Sequence, residues 1–72
     1  MANKTIIDTL SEWQKNYLYD QYEVMQEIKS KKRHFELYSN LYSIIGFIAE
    51  FDKDKENILW DYCCKRYKQE NN

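Results

Sequence analysis

The chain has 72 residues, 43% of them hydrophobic, 32% charged and 17% aromatic, with a formal net charge of -1. That length holds at most one domain, in which folding hides only about 60% of the surface an unfolded chain exposes, and the apolar content is too high for a disordered tail. A single Gly and no Pro remove the turn chemistry on which β-sandwiches, barrels, P-loops and dinucleotide-binding units depend, so the expected class is all-α.

At about 100° per residue, Ile6, Ile7, Leu10, Trp13, Tyr17, Leu18, Val24, Met25 and Ile28 share one face, and a first helix is expected over about 5–30. Thr5 with Asp8 and Thr9 with Glu12 both look like capping pairs, so either can open it. Begun near Thr5, this helix would be about 39 Å long at 1.5 Å per residue. Its apolar first turns would then overhang a shorter neighbour and call for a cover, which a second copy of the chain could supply.

The second helix is expected over about 35–51, where Leu37, Tyr38, Leu41, Tyr42, Ile44, Ile45, Phe47 and Ile48 occupy some two-thirds of the circumference. Such a helix needs covering on several sides. Its remaining strip is Glu36, Ser39, Asn40, Ser43, Gly46 and Glu50. Residues 52–57 form the clearest connection, with Asp52 or Asp54 as the cap of a third helix over about 55–69. Ile58, Leu59, Tyr62 and Cys63 are its inner face. Nothing in Lys29–His34 forbids helix, and one long rod through that segment is the rival. A heptad register started at Ile6, however, meets Asp20, Glu27, Lys31 and His34, so no continuous coiled-coil seam survives. The preferred architecture is a small three-helix bundle, residues 1–72 forming a single helical domain.

The opening, Met1 to Asp8, lacks an apolar run long enough for a signal-peptide core. The longest mostly apolar run, Leu41 to Ala49, is less than half the roughly 20 residues that cross a bilayer as a helix. Both point to a cytoplasmic chain with no membrane span. Cys63 and Cys64 are neighbours, unable to staple distant parts of a small fold, and read as reduced thiols.

Charge lies in blocks. Residues 1–28 carry two lysines against five acids, and 29–34 carry four bases with no acid. Residues 35–64 carry two lysines against six acids, and the tail from Lys65 carries three bases against Glu70. In an up-down-up bundle the C-terminal ends of the first and third helices share a pole, which would gather Lys29, Lys31, Lys32, Arg33, Lys65, Arg66 and Lys68 into one positive end. Two readings stand for it: each block complements its helix dipole, or the pole meets an anionic partner, either nucleic acid or an acidic protein surface. A sequence pI of about 5.8 is far from that of most nucleic-acid-binding domains.

Aromatics exceed what one thin core accepts. Tyr22 projects to the edge of the first helix's apolar face and Tyr19 outside it, while Trp60, Cys64 and Tyr67 form a second stripe on the third helix. Either Trp60 and Tyr67 close the bundle from its flank, with their polar atoms in water, or Tyr19, Tyr22, Trp60, Cys64 and Tyr67 are anchors of a protein interface.

Several chemistries fall away. Asp52-Lys53-Asp54-Lys55-Glu56 imitates the start of a calcium loop, but Asn57 stands where the turn needs Gly and Cys63 where a bidentate acid is needed. Adjacent cysteines point about 100° apart on a helix and His34 is the sole histidine, which disfavours a zinc site. His34 reads as a loop or helix-end residue. Cys64 beside Lys65 and Lys68 is a weaker candidate for redox or nucleophilic chemistry than for a core edge. A bundle of this size has scarcely the interior for a catalytic pocket, so no enzyme, metal or cofactor is expected. The leading functional expectation is a helical protein that binds and modulates another protein, as inhibitor or regulator, with self-association left open. The alternative is a small DNA- or RNA-binding regulator using the basic pole. Richness in Asn, Lys, Ile and Tyr fits an AT-rich coding genome, such as that of a phage or mobile element.

Overall fold

The computed structural model describes residues 5–71, in which a 3-10 turn, Ile6–Thr9, precedes three helices: α1 (Glu12–Glu27), α2 (Lys31–Ile48) and α3 (Lys53–Glu70). The class is all-α and the architecture a three-helix bundle, as its periodicity indicates. The α1–α2 and α2–α3 connections are three and four residues long, so successive helices fold back on one another.

The first helix is shorter than expected because two caps compete for it and both win. Thr5 and Asp8 bond reciprocally, the Asp8 carboxylate accepting from Thr5 N at 2.9 Å, and this closes the 3-10 turn. Ser11 and Gln14 form a second capping box: Ser11 Oγ accepts from Gln14 N at 3.1 Å and Gln14 Oε1 accepts from Ser11 N at 2.8 Å. Leu10 and Ser11 are extended between them, and two satisfied N-termini in succession make two elements. The expected overhang therefore does not form. Ile6, Ile7 and Leu10 fold back half-buried against the core, and the turn packs on α3.

The break also resets the phase of α1. Leu18, Tyr22 and Met25 are the positions that enter the core, while Trp13, Tyr17 and Val24, expected inside, are exposed, Trp13 by 73%. From α2 come Leu41 and Ile45, with Ala49 at its C-cap, and from α3 Leu59 and Cys63. Residues at spacings of three and four on each helix meet in one cluster, as facing apolar stripes do.

The α1–α2 corner is Ile28-Lys29-Ser30, so the chain doubles back where expected but α2 starts about four residues early. Ser30 caps it, accepting from Arg33 N at 3.3 Å. His34 thus lies in the first turn of α2, its Nδ1 2.9 Å from the Met25 carbonyl oxygen; a carbonyl only accepts, so the ring donates and pins the corner. The α2–α3 corner is a Schellman motif, with Glu50 N donating to Phe47 O at 3.2 Å and Phe51 N to Gly46 O at 2.8 Å. Asp52 Oδ1 then accepts from the backbone of Asp54 and Lys55 and caps α3.

Candidate functional site

The structure redistributes the aromatics of the expected interface. Tyr19 and Tyr22 are only 3% and 7% exposed and belong to the interior, so neither offers a contact surface. Tyr22 takes edge-on contacts from Trp60 (centroids 6.5 Å) and Tyr67 (5.9 Å), and its hydroxyl accepts from Gln26 Nε2 at 2.8 Å. Tyr19 lies beneath Arg66, whose guanidinium carbon is 4.3 Å from the ring centroid, a cation–π contact. Trp60, Cys64 and Tyr67 are half-buried and pack against the core. The Tyr67 hydroxyl donates to Glu27 Oε1 at 2.9 Å, tying α3 to α1. Burial of Tyr19 and Tyr22 follows from the break at Ser11, which turns a different stripe of α1 inward.

The seven bases lie in two settings, three on α3 and four at the α1–α2 corner. Arg66 is half-buried against α1, donating to Asn16 Oδ1 at 3.0 Å and Tyr62 Oη at 3.1 Å, with Glu70 at 3.4 Å. Lys65 pairs with Asp61 at 2.9 Å, and Lys68, exposed, closes the last turn of α3 where a cation suits the dipole. Lys29, Lys31, Lys32 and Arg33 remain together and exposed. Three of them occupy the first turn of α2, where the dipole repels cations. The account in which every block complements its helix is therefore wrong for Lys31, Lys32 and Arg33.

The exposed aromatic surface lies elsewhere, along the seam between α2 and α3. Tyr38 stacks on Trp60 (5.5 Å, 21° between planes), Tyr42 lies 6.2 Å from Tyr38 and 6.4 Å from Trp60, and Phe35 extends the strip toward the basic turn. At the other end Phe47 and Phe51 pack at 5.6 Å beside a cavity of about 270 Å³, which Tyr42, Gly46, Lys53 and Glu56 also line. The wheel of α2 carried the signal for this face: two-thirds of it is apolar, and while Leu41 and Ile45 are buried and Leu37, Ile44 and Ile48 half-buried against the core, Tyr38, Tyr42 and Phe47 remain exposed. Its excess was legible; that the excess meets Trp60 was not, because it depends on the crossing of α3.

The sequence places Glu56 in a solvated acidic cap and gives no warning of its burial. Asp52 acts as the cap, leaving Glu56 one turn into α3, 6% exposed at the cavity wall. A Cβ placed on Gly46 would lie 3.3 Å from the Phe51 ring and 4.0 Å from Glu56 Oε1. The one glycine of the chain thus lets the ring and the carboxylate crowd the α2 backbone.

Cys63 is sealed in the core, and burial pushes its thiol up to about 11, which keeps it protonated and unreactive at neutral pH. Cys64 is half-buried. Among the described residues no cluster of three His, Cys, Asp or Glu could hold a metal ion, and no helix is long and apolar enough to cross a membrane. Comparison with known families, curated proteins and solved structures gives no match for this chain.

Proposed function

We propose that this chain is a small non-enzymatic helical protein that binds and modulates another protein, as an inhibitor or regulator, through the α2–α3 aromatic seam. The observation that carries the reading is two groups of large rings left in solvent, Tyr38 and Tyr42 against Trp60 with Phe35 one turn away, and Phe47 packed on Phe51, both groups reaching the cavity that Tyr42, Phe47 and Phe51 line. Single exposed apolar residues are ordinary, whereas several gathered about one cavity mark an interaction surface. Tyr and Trp are also the side chains that anchor interfaces. The α2–α3 corner carries Glu50, Asp52, Asp54 and Glu56 against Lys53 and Lys55, and the opposite end carries Lys31, Lys32 and Arg33, so the seam runs from a net negative end to a positive one and can orient an approaching partner.

The test is affinity capture from the native cytoplasmic extract, treated with nuclease, comparing the wild-type chain with a Tyr38→Ala, Phe47→Ser double variant. Both positions are exposed, so the fold should survive, which circular dichroism verifies. The proposal expects a protein retained by the wild type and lost by the variant; equal retention by both removes it.

One observation supports the nucleic-acid reading: Lys31, Lys32 and Arg33 stand against the α2 dipole, a cost that folding alone does not call for. Binding of a random-sequence duplex at about 50 mM salt, weakening steeply as salt rises and lost on reversal of those three charges, would favour it over the protein partner.

A further inference from the structure

The geometry points to the cavity at the α2–α3 corner as a receptor for a cationic side chain, an arginine presented by the protein partner. The inference rests on the seam being a protein-binding face and names what its acidic end recognises. Glu56 carries the argument. At 6% exposure it is more than nine-tenths buried, and its carboxylate joins none of the side-chain hydrogen bonds or ion pairs found among the described residues. Neither oxygen is wholly sealed from water, so the group looks out through the cavity. A carboxylate held this way keeps its acceptor oxygens unpaired at the cavity wall, where a cationic donor entering the cavity can meet them. The start of α3 favours a negative charge there, and the end of α2 favours a positive one beside it. These opposed dipoles leave the carboxylate's own charge to set the sign of the site.

The walls agree. Tyr42, Phe47 and Phe51 present ring surface to the cavity, and aromatic faces attract cations. A planar guanidinium can stack on a ring while two of its N–H groups meet one carboxylate, which a lysine ammonium cannot reproduce. The volume, about 270 Å³, falls below the range of about 300–1,000 Å³ typical of small-molecule sites and suits one inserted side chain. A metal ion is a poor alternative, since a single carboxylate supplies too few ligands. Phe51, at φ 60° and 69% exposed, sets its ring over Gly46 as one wall of the cavity.

The experiment uses the full chain, isotope-labelled, titrated by NMR with the blocked amino-acid amide acetyl-arginine methylamide and with its neutral isostere, the citrulline derivative. Arginine is expected to shift the amides of Gly46, Phe47, Phe51 and Glu56 with saturation, citrulline to bind about tenfold more weakly or worse. Glu56→Gln should lose about the same factor while keeping the wild-type spectrum elsewhere. Lys53→Met, which removes a cation from the cavity rim, should tighten binding. Equal shifts with arginine and citrulline, shifts centred away from the corner, or undiminished binding by Glu56→Gln would each overturn the inference. So would a concentration-dependent dimer abolished by both Glu56→Gln and Arg33→Gln, since a second copy would then be the occupant. If arginine fails to bind while Tyr38→Ala, Phe47→Ser still loses the captured partner, the cavity inference falls and the seam stands; arginine binding with capture unaffected separates them the other way.

Discussion

Two consecutive residues at the α2–α3 corner, Glu50 at φ 53° and Phe51 at φ 60°, occupy the left-handed region. Glu50 fills the position of the Schellman motif where glycine is the usual choice, and a side chain there costs about 1 kcal/mol. Glu50→Gly is therefore expected to raise stability by about that amount, read as a shift in the urea midpoint, with the cavity unchanged. Phe51→Gly relieves the same strain but removes the ring that lies over Gly46 and beside Phe47. It should leave stability near wild type or above it while eliminating arginine binding. A loss of stability by several kcal/mol would instead make Phe51 a packing residue. The charged connection 52–57 sets the expected end of the second helix at 51. The stop signal is present only as backbone conformation imposed on Glu50 and Phe51, and a residue string does not display it.

At the level of single elements, caps decide where helices begin. Ser11→Ala removes one half of the capping box and is expected to cost about 1 kcal/mol, measured by chemical denaturation; no change would mean the break at Leu10 is held by packing alone. The pattern Ser11-Glu12-Trp13-Gln14 was readable in the sequence, yet Thr9 with Glu12 offered a rival two residues earlier. The continuous apolar face from Ile6 to Ile28 then masked the interruption. Ser30 presents the converse case. Its third following residue is Arg33, where a capping box has Glu or Gln, and the cationic first turn opposes the dipole. Arg33→Gln should complete the box as Gln14 does for Ser11 and stabilise the protein by about 0.5 kcal/mol, the exposed Arg33–Glu36 pair at 3.2 Å contributing little to offset it. A gain in stability on removing that positive charge would mean that Arg33 serves something other than the fold; a loss would assign it a structural role.

For the molecule as a whole, the fold class, three elements and the membership of Leu18, Met25, Leu41, Ile45, Leu59 and Cys63 in the core were accessible from spacing, because apolar stripes at helical period have few other places to go. The candidate site was not, since it joins the outer side of α2 to the start of α3 and depends on how the helices cross. The same packing sets how the protein responds to alkali. Burial raises the Cys63 thiol to about 11 from an ordinary value near 9, burial raises the Tyr22 phenol, and the Glu27 carboxylate raises that of Tyr67. In each case the native state holds a proton that the unfolded chain releases first. Stability from these groups is complete below the unfolded pKa and is lost as pH climbs toward the folded one. For Cys63 the window runs from about pH 9 to about pH 11, and the loss is about 2 kcal/mol. Urea midpoints measured from pH 7 to pH 11 should fall across that window and stay flat between pH 7 and pH 8.5. Cys63→Ala lowers stability overall because it leaves a small void, but its alkaline limb should be shallower than the wild type's by about the Cys63 contribution. An equally steep limb in that variant would show that the tyrosines alone govern the transition and that the thiol titrates no differently in the folded chain than in the unfolded one.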